Sequence, residues 1–359
     1  MWSSSPQRMP LSVVRAVLLG LTRLPEKHHV LCLHGGEPLL AGKDWFQGFC
    51  DLLEAAKHKQ GVPRITVSIQ TNGVCLDREW VDLIRRASAG VSLSLDGPAP
   101  VHDAARCRKN GCPTHMDVMR AIEMLMGAGI RPAALAVITK HTTKLGPDRF
   151  YEFFVRTGIS EIDVAPYIET GETEAEEAAR REFEPAASEL LSFLKGLFDI
   201  WLRQDGCKGF LNVRSFEQLV CVLLGYAPTL CTRMKGLACG RTPCVMPDGS
   251  VFACDLESAD LNLRLGNVCS EPFDAIVSIE RLGDLHRCLE AGFASAGCRS
   301  CEFFGLCAFA CPRFTLAKRR RTELCSFTRA IVEHARLRLN EIARLIGKDG
   351  IEFLTQATC

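Results

Sequence analysis

Five cysteines crowd into one stretch near the C-terminal end of the chain: Cys298-x2-Cys301-x5-Cys307-x3-Cys311, then Cys325. No other feature limits the possible fold as strongly. A single buried cysteine behaves as a small hydrophobe, and Cys32, Cys50, Cys221 and Cys288 are read that way. Five in one run, separated mainly by Gly and aromatic residues, are too many for packing. Upstream, Cys231, Cys239, Cys244 and Cys254 surround the segment 245–252, whose Asp248-Gly249 turn between β-rich flanks predicts a hairpin. A Cys-x2-Cys pair is a common zinc half-site, so zinc is the rival metal. Zinc sites usually close with two compact pairs, whereas this run demands interlocked sites. In two-cluster iron–sulfur proteins one run serves both clusters. A segment with so little regular periodicity also needs metal to hold it together.

Composition narrows the class further. Lys and Arg total 43 against 42 Asp and Glu, which argues against a purely electrostatic nucleic-acid or membrane-surface binder. The cysteine total of 19 in 359 residues is below the density of small disulfide scaffolds. The opening residues Met1–Gln7 are polar, and the apolar run Leu11–Leu21 is short and interrupted by Arg15. The expectation is a cytoplasmic chain in a reduced compartment, where clustered cysteines bind metal. The basic run Lys318–Arg321 has no interleaved aromatics and reads as solvated surface.

Ahead of the cysteines, strand-like and helix-like segments alternate. Strands are expected at Val30–His34, Ile65–Gln70, Val91–Leu95, Pro132–Ile138 and Glu161–Ala165. Helices are expected at Leu11–Leu24, Trp45–Lys59, Asp77–Ala87 with Asp77 as N-cap, Thr114–Met126 and Pro147–Arg156. This alternation predicts a parallel sheet, open or curled into a barrel, with ligands at the strands' carboxyl ends. His34-Gly35-Gly36-Glu37-Pro38, Gln70-Thr71-Asn72-Gly73 and Asp96-Gly97-Pro98 lie at those ends. Beyond them Thr173–Gln204 reads as one long helical stretch, Asn212–Leu224 as another helix, and Arg329–Ile346 as a basic amphipathic helix.

The cysteine pattern resembles a SPASM domain, the two-cluster module appended to radical S-adenosylmethionine (SAM) maturases. Cys239-x14-Cys254 encloses Asp248-Gly249, and the downstream run is complete. The resemblance implies one [4Fe–4S] cluster on Cys298, Cys301, Cys307 and Cys325. It implies a second on Cys239, Cys254 and Cys311, with Cys231 as fourth ligand and Cys244 as its rival. The first half resembles the same family, because His34-Gly35-Gly36-Glu37-Pro38 is similar to its SAM-binding motif. By that resemblance the backbone of Gly35, Gly36 and Pro38 and the Glu37 carboxylate hold the methionyl ammonium. Asn72 and Ser94 join the SAM site, and Arg106 faces the SAM carboxylate, where a guanidinium suits bidentate binding.

The implied fold is α/β: a partial (β/α)6 radical SAM barrel missing its first strand, followed by a C-terminal SPASM iron–sulfur domain. The expected divisions are a partial barrel over 1–170, bridging helices over 171–228, the SPASM domain over 229–335 and a helical tail over 336–359. The family's Cys-x3-Cys-x2-Cys motif does not occur in these 359 residues. The chain therefore reads either as a shortened form of an active enzyme, the favoured reading, or as a degenerate relative with radical generation disabled.

The implied activity is maturation of a peptide or protein side chain, either in a ribosomally made peptide or as formylglycine formation in a sulfatase. The rival classes are a zinc-stabilised module and a non-catalytic peptide-binding scaffold. The implied partners are the peptide or protein substrate and an electron donor such as flavodoxin or ferredoxin, with no nucleic acid and no membrane. Asp255, next to Cys254, matches the position of a proposed proton acceptor in sulfatase-maturing relatives and is expected to act as general base.

Overall fold

The protein is described by a computed structural model covering residues 8–57, 63–168, 173–227, 229, 239–255, 264–307, 311 and 321–345. Cys231 and Lys318–Arg320 lie outside the described residues. Helix α1 (Leu11–Leu21) leads into β1 (His28–Leu33), α2 (Lys43–Lys57), β2 (Arg64–Thr71), α3 (Arg78–Ala87) and β3 (Gly90–Ser94). Two helices, α4 (Ala99–Ala105) and α5 (His115–Gly127), precede β4 (Ala133–Ile138). Two more, α6 (Lys140–Leu145) and α7 (Pro147–Thr157), precede β5 (Glu161–Pro166). Then come α8 (Glu174–Phe183), α9 (Ala187–Arg203), β6 (Asn212–Val213) and α10 (Arg214–Leu223).

Strands β1 to β6 form one sheet in sequential order, every neighbouring pair parallel. Sequential parallel order requires each crossover to return along the same face, which is why helices separate the strands. The register sorts side chains into two layers. Ile65, Val67 and Ile69 on β2, Val91 and Leu93 on β3, Ala134, Ala136 and Ile138 on β4, and Ile162 and Val164 on β5 are buried against the helices. Each buried Leu, Ile or Val contributes about 1.5–3 kcal/mol relative to exposure. On the opposite face Thr66, Ser68 and Gln70 line up with Ser92 and Ser94, then Leu135 and Val137, and all are only partly buried. This half-open face, polar on β2 and β3, is the open face of the sheet.

The five expected strands are all present, and Asp77 caps α3 as expected, its carboxylate accepting from the Trp80 N–H at 3.0 Å. Three readings are corrected. The stretch Thr173–Gln204 is two helices, because Pro185 follows the α8 C-cap and cannot continue a helix. The segment Asn212–Leu224 opens with a strand, β6, which pairs with β5 before α10 begins. The last helix begins earlier than Arg329, at Arg321 (α13, Arg321–Arg336), and a second helical segment follows at 339–345.

The cysteine-rich half is built differently. Strands β7 (Cys244–Val245), β8 (Ser250–Phe252) and β9 (Arg264–Asn267) form a small antiparallel sheet. The β7–β8 connection is the expected Asp-Gly hairpin, with Gly249 at φ +84°, a conformation that favours glycine. Helices α11 (Phe273–Ile276) and α12 (Ile279–Ser295) follow. Helix α13 packs on α9, where Asp199 accepts from His334 Nε2 at 2.8 Å and from Arg338 Nε at 3.1 Å. Burial opposes the Asp199 charge, but the Arg338 and His334 bonds outweigh it and hold this carboxyl below its ordinary pKa. Among the described residues, no helix is long and apolar enough to cross a membrane.

Candidate functional site

The loop after β1 carries the candidate binding motif. Gly35 has φ +109°, which a side chain would strain, and a Cβ added at Gly36 would meet open space. The loop therefore presents bare backbone at the carboxyl end of β1. Glu37 ties it down. Its Oε1 accepts from the Leu39 N–H at 3.1 Å and the Thr71 hydroxyl at 2.6 Å, and its Oε2 accepts from the Asn72 N–H at 2.8 Å. Pro38 starts the 3-10 turn Pro38–Ala41 that Glu37 caps. The carboxylate expected to meet a ligand ammonium is thus also a clamp between the β1 loop and the end of β2. Asn72 is drawn in by its backbone, while its side-chain Oδ1 accepts from the Val74 N–H at 2.9 Å.

The neighbouring strand ends form a second network. Asp96 is buried and takes a two-pronged guanidinium contact from Arg106, Nε to Oδ2 at 2.6 Å and NH2 to Oδ1 at 3.0 Å. Its Oδ1 also accepts from the Val137 N–H at 2.8 Å, joining β3 to β4. Arg106, expected to face a ligand carboxylate, already faces one from its own chain, while its NH1 takes no part in that contact. Ser94 is joined to β2 through Gln70 Nε2, which donates to its hydroxyl at 3.3 Å.

Beneath this pair lies His102, also buried. The Asp96 N–H points at His102 Nδ1 at 3.4 Å, so Nδ1 is the acceptor and the proton sits on Nε2. Nε2 donates to Thr114 Oγ1 at 3.1 Å, and the Thr114 hydroxyl donates to the Arg106 carbonyl at 2.8 Å. Every atom of this chain has a role only when His102 is neutral. Burial, with Arg106 and His115 nearby, lowers its pKa to about 4. Asp103 accepts from the Thr114 and His115 N–H groups, both at 2.9 Å, fastening the start of α5.

Beside the end of β1 stands Asp255. Its Oδ2 lies 3.6 Å from Nε2 of His34, the residue immediately before Gly35. Its Oδ1 accepts from the Cys254 thiol at 3.3 Å. Cys244 pairs with Phe252 in the hairpin, and its thiol is pushed up to about 11 by burial and by the Asp255 charge. Cys244, Cys254 and Asp255 therefore share one neighbourhood that opens on the end of β1. Sequence reasoning had no signal for His34 as a partner of Asp255, because nothing in spacing links residues so far apart.

The other cysteines gather around α13 and the end of α12. Cys298 and Cys301 share a small apolar cluster with Phe293 and Phe304, and the Cys301 N–H donates to the Cys298 carbonyl at 3.0 Å. Cys307 Sγ is 3.7 Å from the Thr328 hydroxyl, on the same helix as Cys325. Arg329 and Arg336 of α13 stack on the Phe303 ring at 5.4 and 5.3 Å, holding the Cys301–Cys307 loop to that helix. The Cys239 carbonyl is 2.9 Å from His286 Nε2, and the Gly240 N–H donates to the Ala253 carbonyl, which sets Cys239 beside the hairpin.

Thiols are chemically suited to hold metal, but among the described residues no three His, Cys, Asp or Glu side chains converge as a metal-holding group. Two of the four cysteines assigned to packing, Cys50 and Cys221, are buried. Cys32 and Cys288 are exposed instead. Cys32 lies on the half-open face of β1, where alternation does not imply burial.

Known proteins show the same organisation. Residues 4–152 match the Radical SAM superfamily. The serine-type anaerobic sulfatase-maturating enzyme of Bacteroides thetaiotaomicron is 28% identical over 291 residues, 78% of this chain and 68% of that protein. The cysteine-type anaerobic sulfatase-maturating enzyme of Clostridium perfringens is 28% identical over 288 residues, 80% of this chain and 74% of that protein. The solved structure of native anSMEcpe with bound AdoMet superposes with a TM-score of 0.77 at 25% identity, covering 94% of this chain and 90% of that one.

Proposed function

We propose, from the match of residues 4–152 to the Radical SAM superfamily, that this chain is a peptide-modifying enzyme of the sulfatase-maturating type, oxidising a Ser or Cys side chain of a sulfatase to formylglycine. The observation that carries this reading is the meeting of Asp255, from the cysteine-rich half, with His34 at the end of β1. An acidic side chain at the end of β1 can take a proton from a substrate held over the open face of the sheet. Base catalysis of this kind contributes about 10²–10⁴-fold.

The chain's own groups divide the work. Gly35 and Gly36 offer backbone to SAM, Glu37 fixes that loop on β2, and Arg106 keeps NH1 for a carboxylate beyond its pair with Asp96. Cys298, Cys301, Cys307 and Cys325 would hold one auxiliary [4Fe–4S] cluster. Cys239, Cys254 and Cys311, with Cys231 or Cys244, would hold the other. When bound, these clusters and SAM supply one-electron chemistry and hydrogen-atom abstraction. Oxidising a CH2–OH to an aldehyde also releases a proton, and Asp255 would receive it.

The cluster that opens SAM has no Cys-x3-Cys-x2-Cys ligand set among these 359 residues. Residues 1–359 with SAM and dithionite are therefore expected to form no 5′-deoxyadenosine above a no-enzyme control. An in-frame extension carrying that motif should convert a sulfatase peptide to its formylglycine form, read by mass spectrometry. In that extended chain Asp255→Asn should abolish the product while 5′-deoxyadenosine and iron content persist. An extended chain that cleaves SAM yet leaves sulfatase peptides untouched would refute the assignment.

A further inference from the structure

Thr328, in the middle of α13, is 2% exposed, and its hydroxyl lies 3.7 Å from Cys307 Sγ. A threonine inside a helix often returns its hydroxyl to the carbonyl one turn back. Among the described residues this hydroxyl makes no such bond, and its partner is the Cys307 sulfur. A thiol is a weak hydrogen-bond partner, so a buried hydroxyl gains little from it. A thiolate is a charged acceptor with no proton of its own. The Thr328 hydroxyl is therefore well satisfied only when Cys307 has lost its proton, as a metal ligand must.

The contact is set by the backbone around it. The Phe304 N–H donates to the Cys301 carbonyl at 3.0 Å and the Leu306 N–H to the Phe303 carbonyl at 2.9 Å, which folds the loop that carries Cys307. Arg329 and Arg336 hold the Phe303 ring against α13. Cys325 stands one turn before Thr328 on the same helix, at a spacing that makes the two neighbours. Removing the Cys307 proton leaves one direction for the bond: Thr328 donates and the sulfur accepts.

We propose that Thr328, acting through Cys307, raises the reduction potential of the auxiliary [4Fe–4S] cluster held by Cys298, Cys301, Cys307 and Cys325. The proposal rests on that cluster assignment, made in the functional reading above. Reduction adds one negative charge, which the cluster shares with its sulfurs. A hydrogen bond donated to a ligating sulfur is therefore stronger in the reduced form than in the oxidised form, and the difference favours reduction. Thr328 carries neither electron nor proton in this role. It sets how readily the cluster takes up an electron.

The test uses the full chain, reconstituted anaerobically with iron and sulfide and titrated at set potentials under electron paramagnetic resonance. Cys307→Ala identifies the reduction step of this cluster, because that step should vanish while the other remains. Thr328→Val keeps the shape and loses the hydroxyl. Its step should shift about 3- to 10-fold toward the oxidised form, a midpoint about 30–60 mV lower for one electron. The other step should not move. Thr328→Ser keeps a hydroxyl and should stay within about twofold of the unmutated equilibrium.

An unmoved midpoint in Thr328→Val, or equal shifts in Thr328→Val and Thr328→Ser, would overturn the tuning and leave the ligand assignment standing. Full iron content and both reduction steps in Cys307→Ala would overturn the assignment and the tuning together. Should Thr328→Val take up no iron, Thr328→Ala read against Thr328→Ser decides by the same midpoint.

Discussion

The strand ends of the sheet and the cysteine-rich half solve the same problem in opposite ways. At the ends of β2, β3 and β4, polar side chains meet each other and backbone N–H groups: Glu37 meets the Thr71 hydroxyl and the Asn72 N–H, Asp96 the Arg106 guanidinium and the Val137 N–H, and His102 the Thr114 hydroxyl. Beyond residue 239 the sheet has strands of two to four residues, and the functional groups are thiols. Thiols are weak hydrogen-bond partners and strong metal ligands. The first region closes its contacts with its own atoms, whereas the proposed reading has the second depend on bound metal.

The sharpest way to break this contrast is to withhold iron. Hydrogen exchange on the chain before and after anaerobic reconstitution should show protection rising by about 100-fold or more around Cys239–Cys254 and Cys298–Cys307, because ligand binding is folding free energy for such sites. Strand amides of β2 to β5 should change by less than about threefold. Reconstituted protein should hold about eight iron and eight sulfide if both clusters form. Equal protection in both states, or tetrahedral zinc without sulfide, would remove the basis of the comparison.

Next in size is Arg106→Ala. It leaves Asp96 buried with the Val137 N–H but without its cation. Stranding one member of a buried ion pair costs about 3–5 kcal/mol. Chemical denaturation should show a loss of that order, with cluster content unchanged. A loss below about 1 kcal/mol would mean that Asp96 is not held as the geometry implies.

These two regions were unequally legible in the sequence. Alternation of Ile65, Val67 and Ile69, or of Ala134, Ala136 and Ile138, shows plainly because one face is fully buried. Strand β6 escaped because two residues carry no period, and α4 and α6 because they are only one or two turns long. Cys32 was misplaced because β1 is an outer strand among the described residues, and its period faces a half-open surface. Spacing brought out the cysteines and the Gly35–Pro38 motif. It could not show that Glu37 and Arg106 are partly occupied by their own chain, since those partners come from other strand ends.

A third prediction sharpens the claim that the strand-end network closes only on a neutral imidazole. His102 has its pKa lowered to about 4 in the folded chain, against about 6.5 when unfolded. Between those values the unfolded chain binds the extra proton, so stability falls as pH drops from about 6.5 to about 4 and levels off below. The contribution is about 3 kcal/mol at most. Replacing His102 with Gln should flatten that part of the stability–pH curve, whatever its effect at pH 7. An unchanged slope would assign the acid sensitivity to other groups.

The smallest expected effect decides what Glu37 is for. Its carboxylate accepts from Leu39 N–H, Thr71 O–H and Asn72 N–H, so it binds the β1 loop to β2 whether or not a ligand is present. Glu37→Gln keeps the shape and one acceptor oxygen. If that oxygen stays on Leu39 and Thr71, the new amide N–H faces the Asn72 N–H, and two donors meet. If the amide turns over, the donor faces Leu39 N–H instead. Either way one hydrogen bond is replaced by a donor facing a donor, costing about 2 kcal/mol on the scale of hydrogen bonds to charged groups. A ligand-only role predicts no stability loss in the absence of SAM, whereas the clamp predicts it there in full. Denaturation of the SAM-free variant therefore separates the two, and an unchanged midpoint would return the carboxylate to the ligand alone.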